Sequence, residues 1–319
     1  MSFPGGAVRL QFNSTLGAAF LGQFATAILY GITSLQTFIY YKQHYKDPLI
    51  LRFLVGVLWI LDGIHVAFIT HAMYMYMIVN FANPLNVDKP IWSVWAMIIV
   101  SNISNIIVRA IFSRTLWKLS GKALIFPLVI GLLSIYVAAD AFYFAIRGFR
   151  IDSYLDIHHF SWSLYNGFAF EVLVDGMITV SQCLLLRRFR TGIKSTDSII
   201  TILMVYSINT GLLTSICAIL CLVTFTVLPD MFVYFAFYFV LSKLYVNSVL
   251  ANLNARSTIL ENMPGAKPLN KYDYTDPSSM SSGGANLVPA QFSSVVDPVL
   301  LTTRGERSVL ATIGETSPV

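Results

Sequence analysis

The sequence predicts an all-α, polytopic membrane protein: a seven-transmembrane-helix bundle with a disordered C-terminal tail. Three observations carry that prediction. Of 319 residues, 56% are hydrophobic and only 12% are charged, whereas a water-facing globular domain carries roughly 25% charged residues. Mean hydropathy is +0.68. Seven apolar runs are each long enough to cross the hydrocarbon layer, a distance of ~30 Å that takes ~20 helical residues. The same figures argue against a soluble enzyme, a nucleic-acid binder, a coiled coil and a secreted disulfide scaffold.

The first run, 15–41, exceeds the apolar core of a signal peptide, which is ~7–15 residues. It is expected to remain as a spanning helix. The polar turn Lys42 to Pro48 leads into the second run, 49–79. Asn83-Pro84 and Lys89-Pro90 are turn signals ahead of the third, 91–117. The fourth run is 123–146, and a charged loop with His158 and His159 separates it from the fifth, 163–186. The sixth and seventh, 199–228 and 231–252, meet at Leu228-Pro229-Asp230. Barrel strands would alternate apolar and polar residues. These runs are continuous, and a helix satisfies its own backbone polar groups in lipid. Short loops imply antiparallel neighbours in one bundle.

Charge sets the expected threading. Loops one, three and five carry ten basic residues: Lys42, Lys46, Arg52, Arg114, Lys118, Lys122, Arg187, Arg188, Arg190 and Lys194. The N-terminus and the even loops carry four: Arg9, Lys89, Arg147 and Arg150. Basic loops stay cytoplasmic, so residues 1–14 form a short extracytoplasmic N-terminus and 257–319 a cytoplasmic tail. The expected location is the plasma membrane or another secretory-pathway membrane. The net charge of +5 reflects this loop asymmetry rather than nucleic-acid binding. Asn13-Ser14-Thr15 is a glycosylation sequon on the expected outer side, close against the first helix.

Cys183, Cys217 and Cys221 all fall within apolar runs. They read as packed apolar thiols. Beyond Arg256, half of the twelve prolines and a Ser/Gly patch at 278–284 mark a segment that buries too little apolar surface to fold. It is either a plain solvated end or a phosphorylated docking tail.

Chemistry, if present, should involve the ionisable groups that lipid excludes. Asp62 and His65 lie one turn apart on the second span. Glu171 and Asp175 share one stripe of the fifth, and Lys243 lies in the seventh. Counting from the span ends gives depths of roughly 20 Å for Asp62 and about 18 Å for Asp175 and Lys243. One midplane cluster of Asp62, Asp175 and Lys243 is therefore expected, with Glu171 and His65 as further members and Lys243 paired to one carboxylate. It would serve as a ligand or ion site, or as interhelical hydrogen bonds that only hold the bundle. Asn102 and Asn105 are expected to bond across helices, with Arg109 toward the cytoplasmic end. Asp140 is placed near the outer end of the fourth span.

Recognisable catalytic and cofactor motifs are missing. His65 and His71 are six apart, not the i, i+4 pair of a zinc helix. Neither a nucleophile elbow nor a phosphate-binding glycine loop occurs, so no enzyme, metal or cofactor is expected. Phe239 stands four residues before Lys243, where microbial retinal proteins carry Asp. Val108-Arg109-Ala110 departs from the helix-three motif of rhodopsin-like receptors.

Several stretches resemble one fungal family. They are Gly31-Ile-Thr-Ser-Leu-Gln-Thr-Phe-Ile-Tyr-Tyr41, Trp59-Ile-Leu-Asp62 with His65 and His71, and Asn80-Phe-Ala-Asn-Pro84. Thr196-Asp-Ser198 through Asn209-Thr-Gly211-Leu-Leu-Thr214 and Phe239-Val-Leu-Ser-Lys-Leu-Tyr-Val-Asn-Ser248, with Asn252-Leu-Asn-Ala-Arg256, are the strongest. Together they resemble the basidiomycete seven-transmembrane proteins known only as a domain of unknown function, over roughly 15–256. The resemblance implies an integral membrane protein and brings no ligand, reaction or catalytic residue.

Topology and the basic inner loops point to a receptor or sensor. The alternative is a secondary transporter or proton-coupled channel built on the midplane Asp/Lys cluster. Expected partners are membrane lipids and a cytoplasmic protein at the inner loops or tail, with no nucleic acid.

Overall fold

The computed structural model describes residues 12–43, 47–80, 89–121, 123–188, 194–228 and 232–261. They form seven long helices: α1 (Phe12–Gln43), α2 (Leu49–Tyr74), α3 (Trp92–Leu119), α4 (Ile125–Gly148), α5 (Ser161–Arg187), α6 (Lys194–Val227) and α7 (Val233–Glu261). A π-helical turn, Met75–Val79, extends α2, and a 3-10 turn, Tyr154–Phe160, precedes α5. The described residues contain no strand. All seven helices are long and apolar enough to cross a membrane. The fold is an all-α polytopic membrane bundle.

Helix ends run past the apolar runs. α6 begins at Lys194 and α7 continues to Glu261, beyond the boundary at Arg256 read from composition. The reason is physical: an apolar run marks where lipid ends, whereas a helix continues as long as its backbone bonds do. Just ahead of that extension α7 is tied to α1, because Asn254 Nδ2 donates to the Gln36 carbonyl at 2.9 Å. α1 starts at Phe12, so Asn13 of the sequon falls inside the helix rather than in a free N-terminal segment. The Asn13 side chain and the tail from 262 onward lie outside the described residues.

Sequential helices pack against one another, α7 closes the ring against α1, and α3 also touches α5 and α7 across the middle. α3 and α7 are accordingly the most enclosed spans, 56% buried against 17% for α4. The perimeter is covered with exposed apolar side chains such as Leu21, Phe24, Leu132, Ile135, Leu212 and Ile216. Apolar exposure on that scale suits lipid rather than water. α1 and α7 approach closely because Gly22 has no side chain: a Cβ there would lie 2.5 Å from Ala236 Cα.

The loop between α4 and α5 is not a plain charged connection. Tyr154, Ile157 and Phe160 turn inward and are buried. The Tyr154 hydroxyl pairs with that of Tyr76 at 2.8 Å, and its ring packs on Trp95, Phe232 and Phe235. This aromatic plug closes the even-loop end of the bundle. His158 and His159 stay exposed.

Candidate functional site

Two separate polar clusters occupy the interior. In the first, Lys243 Nζ donates to Asp62 Oδ1 at 2.5 Å and to the Asp62 backbone carbonyl at 2.7 Å. The buried stripe of α2 explains the meeting: Val55, Leu58, Asp62, His65 and Ile69 recur every three or four residues. Lys243 and Asp62 side chains are 0% and 1% exposed. The Tyr30 ring of α1 lies 5.8 Å from the ammonium. His65, one turn along α2, is equally buried, and neither ring nitrogen has a hydrogen-bond partner.

The second cluster centres on Arg109 of α3. Its Nη2 lies 3.2 Å from Glu171 Oε1 and 3.9 Å from Asp175 Oδ1. The i, i+4 spacing on α5 presents both carboxylates to one guanidinium. Asn105, one turn before Arg109, donates Nδ2 to Glu171 Oε1 at 3.2 Å. Thr214 Oγ1 of α6 donates to Asp175 Oδ2 at 3.1 Å, and the Tyr245 hydroxyl of α7 donates to the same oxygen. Arg109 of α3 thus meets α5 and α7 directly, and α6 joins the cluster through Asp175.

The single midplane cluster expected from depth therefore does not form. Residues 243 and 245 are two apart on α7, hence ~200° apart around it at ~100° per residue. Lys243 faces α2 and α1, whereas Tyr245 faces α3 and α5. Asp175 and Glu171 find Arg109 instead of Lys243. Arg109 follows Asn105 by one turn and is still well inside the span. It stands ten residues short of Leu119, about 15 Å into the span by helix rise.

Two cavities flank the Arg109 cluster. One, of about 100 Å³, lies between α3, α4, α5 and α7, and its polar lining is Asn102, Asn105, Arg109, Asp140, Ser163 and Glu171. The other, of about 30 Å³, lies between α3, α5, α6 and α7 and is lined by Arg109, Asp175, Gln182, Ser207, Thr214 and Tyr245 among others. A water needs ~10–15 Å³ on this measure, so the first cavity holds several waters or a small ligand. A third, wholly apolar space of about 40 Å³ adjoins the first and shares Ile98, Phe144, Leu164, Phe168 and Tyr238 with it. Asp62, His65 and Lys243 line none of the three.

Of the sequence-derived site residues, Glu171 and Asp175 each face a cavity, while Asp62, His65 and Lys243 form a closed core. Arg109 and Asp140 were not among them. The α3 stripe Asn102, Asn105, Arg109, at i, i+3 and i+7, was the available signal for Arg109. Elsewhere, His71 Nδ1 meets Ser93 Oγ at 3.0 Å, joining α2 to α3. Among the described residues, no three His, Cys, Asp or Glu side chains converge as a metal-binding group.

Residues 171–258 match the family described as "Family of unknown function (DUF6534)". No curated protein and no solved structure matches the chain. The matched stretch contains Glu171, Asp175, Thr214, Lys243 and Tyr245, but not Asp62, Arg109 or Asp140. A DUF6534 domain of unknown function thus spans 171–258 and supplies Lys243 of the first cluster and Glu171, Asp175, Thr214 and Tyr245 of the second, the remainder coming from α1, α2 and α3.

Proposed function

We propose that this chain is a membrane sensor in which a small ligand enters the cavity between α3, α4, α5 and α7 and acts on the Arg109 cluster. One observation carries the reading: Glu171 lines that cavity and bonds Arg109, while Asp175, on Arg109's other side, is held by α6 and α7. A ligand that competes for Glu171 or Asn105 changes the partners of a group whose cluster joins four helices. It shifts the helix arrangement to the extent that it binds one arrangement better than another.

In this reading the N-terminus is extracytoplasmic and the tail cytoplasmic. The membrane is the plasma membrane or another of the secretory pathway, on the strength of the basic odd loops. Arg187, Arg188 and Arg190 contact anionic lipid or a cytoplasmic partner. The fungal seven-helix resemblance over 15–256 supports taking the DUF6534 segment as part of one larger unit. The protein performs no catalysis.

The cavity on the far side of Arg109, with Asp175 as its own carboxylate, favours a second reading as a proton-coupled transporter. Two measurements on reconstituted vesicles separate them. The sensor predicts no proton uptake above that of protein-free vesicles. It also predicts faster hydrogen exchange at the odd-loop ends of α5 and α6 when Glu171→Gln removes Arg109's cavity-side partner. Proton uptake abolished by Asp175→Asn would replace the sensor with the transporter.

A further inference from the structure

Asp140 is a carboxylate inside a membrane span with no cation of its own. It lines the larger cavity from α4, eight residues before Gly148, about 12 Å along the helix. Its Oδ1 accepts from Ser163 Oγ at 2.9 Å. Among the described residues no basic nitrogen lies within 4.0 Å of it. Arg109, which reaches the same cavity, is committed to Glu171 and Asp175. The acidic and basic lining of the cavity is therefore two carboxyl groups against one guanidinium, which leaves one carboxyl group without a cation in a place where lipid penalises an unpaired charge.

The neutral lining adds to that excess of acceptors. Asn105 Oδ1 is buried without a hydrogen-bond partner. Its orientation is fixed, because Nδ2 donates to Glu171 and a flipped amide would set oxygen against carboxylate. Beside these groups the cavity shares the walls Phe144, Phe168 and Tyr238 with the adjoining apolar space. The two spaces, about 100 and 40 Å³, approach the ~150 Å³ of an engineered cavity that takes up benzene. Aromatic walls favour both a flat ring and an adjacent cation.

We infer that this cavity binds a small organic ammonium, its nitrogen bonded to Asp140 and Asn105 and a ring-sized apolar body against Phe144, Phe168 and Tyr238. The inference rests on the cavity chosen for the sensor and names its ligand class.

Calorimetric titration of the full chain in lipid nanodiscs tests it, with phenylethylammonium, neutral 2-phenylethanol and anionic 3-phenylpropanoate as probes. The ammonium binds saturably and about ten-fold or more tighter than the alcohol, and the anion does not bind. Asp140→Asn weakens the ammonium by about ten-fold or more and leaves the alcohol unchanged. Gly167→Ala is a second variant: its Cβ would lie 2.8 Å from Asp140 Oδ2. It moves the end of a flexible side chain, so it weakens the ammonium without lowering the unfolding midpoint. Equal affinity for ammonium and alcohol, or ammonium binding indifferent to Asp140→Asn, overturns the ligand class. If in that case Leu164→Trp abolishes both probes, the cavity stands and only the ammonium assignment falls. If no probe binds, the cavity falls with it.

Discussion

Lys243→Leu is expected to destabilise the bundle by about 3–5 kcal/mol, because it leaves Asp62 buried without its cation. The loss comes from the stranded carboxylate more than from the missing attraction. The double change Lys243→Leu, Asp62→Leu is therefore expected to recover most of the stability, since replacing a whole buried pair by apolar groups is often neutral or favourable. Unfolding in mixed micelles, followed by helical circular dichroism, measures both. A double variant no more stable than the single one would mean that Asp62 and Lys243 are not coupled as their 2.5 Å contact indicates.

Arg109→Met is expected to cost at least as much, about 3–5 kcal/mol or more, since it strands two buried carboxylates four residues apart on α5. Arg109→Lys is not a rescue. A lysine keeps the charge but is a more strongly hydrated point charge, and it lacks the planar guanidinium that lies over the Tyr245 ring while Nη2 meets both Glu171 and Asp175. The triple variant Arg109→Met, Glu171→Gln, Asp175→Asn removes all three charges and is expected to regain stability. The same micelle unfolding series checks the order: Arg109→Met lowest, Arg109→Lys between, triple variant highest. A triple variant as unstable as Arg109→Met would show that charge pairing is not what joins α3 to α5 here.

The seven spans were legible because hydropathy along a chain reports directly on lipid. Asp62, Asp175 and Lys243 do lie deep in their helices. Azimuth was not legible: depth alone cannot say that Lys243 turns toward α2 while Tyr245, two residues on, turns toward α3. That choice is made by which helices become neighbours, a tertiary fact with no local signal. Arg109 was left out of the site because it was read only as lying toward the cytoplasm, although the stripe through Asn102 and Asn105 led into the core. Asp140 was passed over for a related reason, as a residue near a span end. The inward-folded Tyr154, Ile157 and Phe160 were hidden by the charged residues around them. Helix ends at Lys194 and Glu261 escaped because polarity does not stop a helix.

The central claim is that the Arg109 cluster sits between water-reachable cavities while the Asp62–Lys243 pair is sealed. Thiol accessibility in reconstituted membranes tests it most directly. In a background with Cys183, Cys217 and Cys221 replaced by alanine, Ala141→Cys and Thr210→Cys each put one thiol on a cavity wall. His65→Cys puts one beside the sealed pair. Aminoethyl methanethiosulfonate is predicted to modify the first two and spare the third. Modification at position 65 with protection at 141 and 210 would contradict the account.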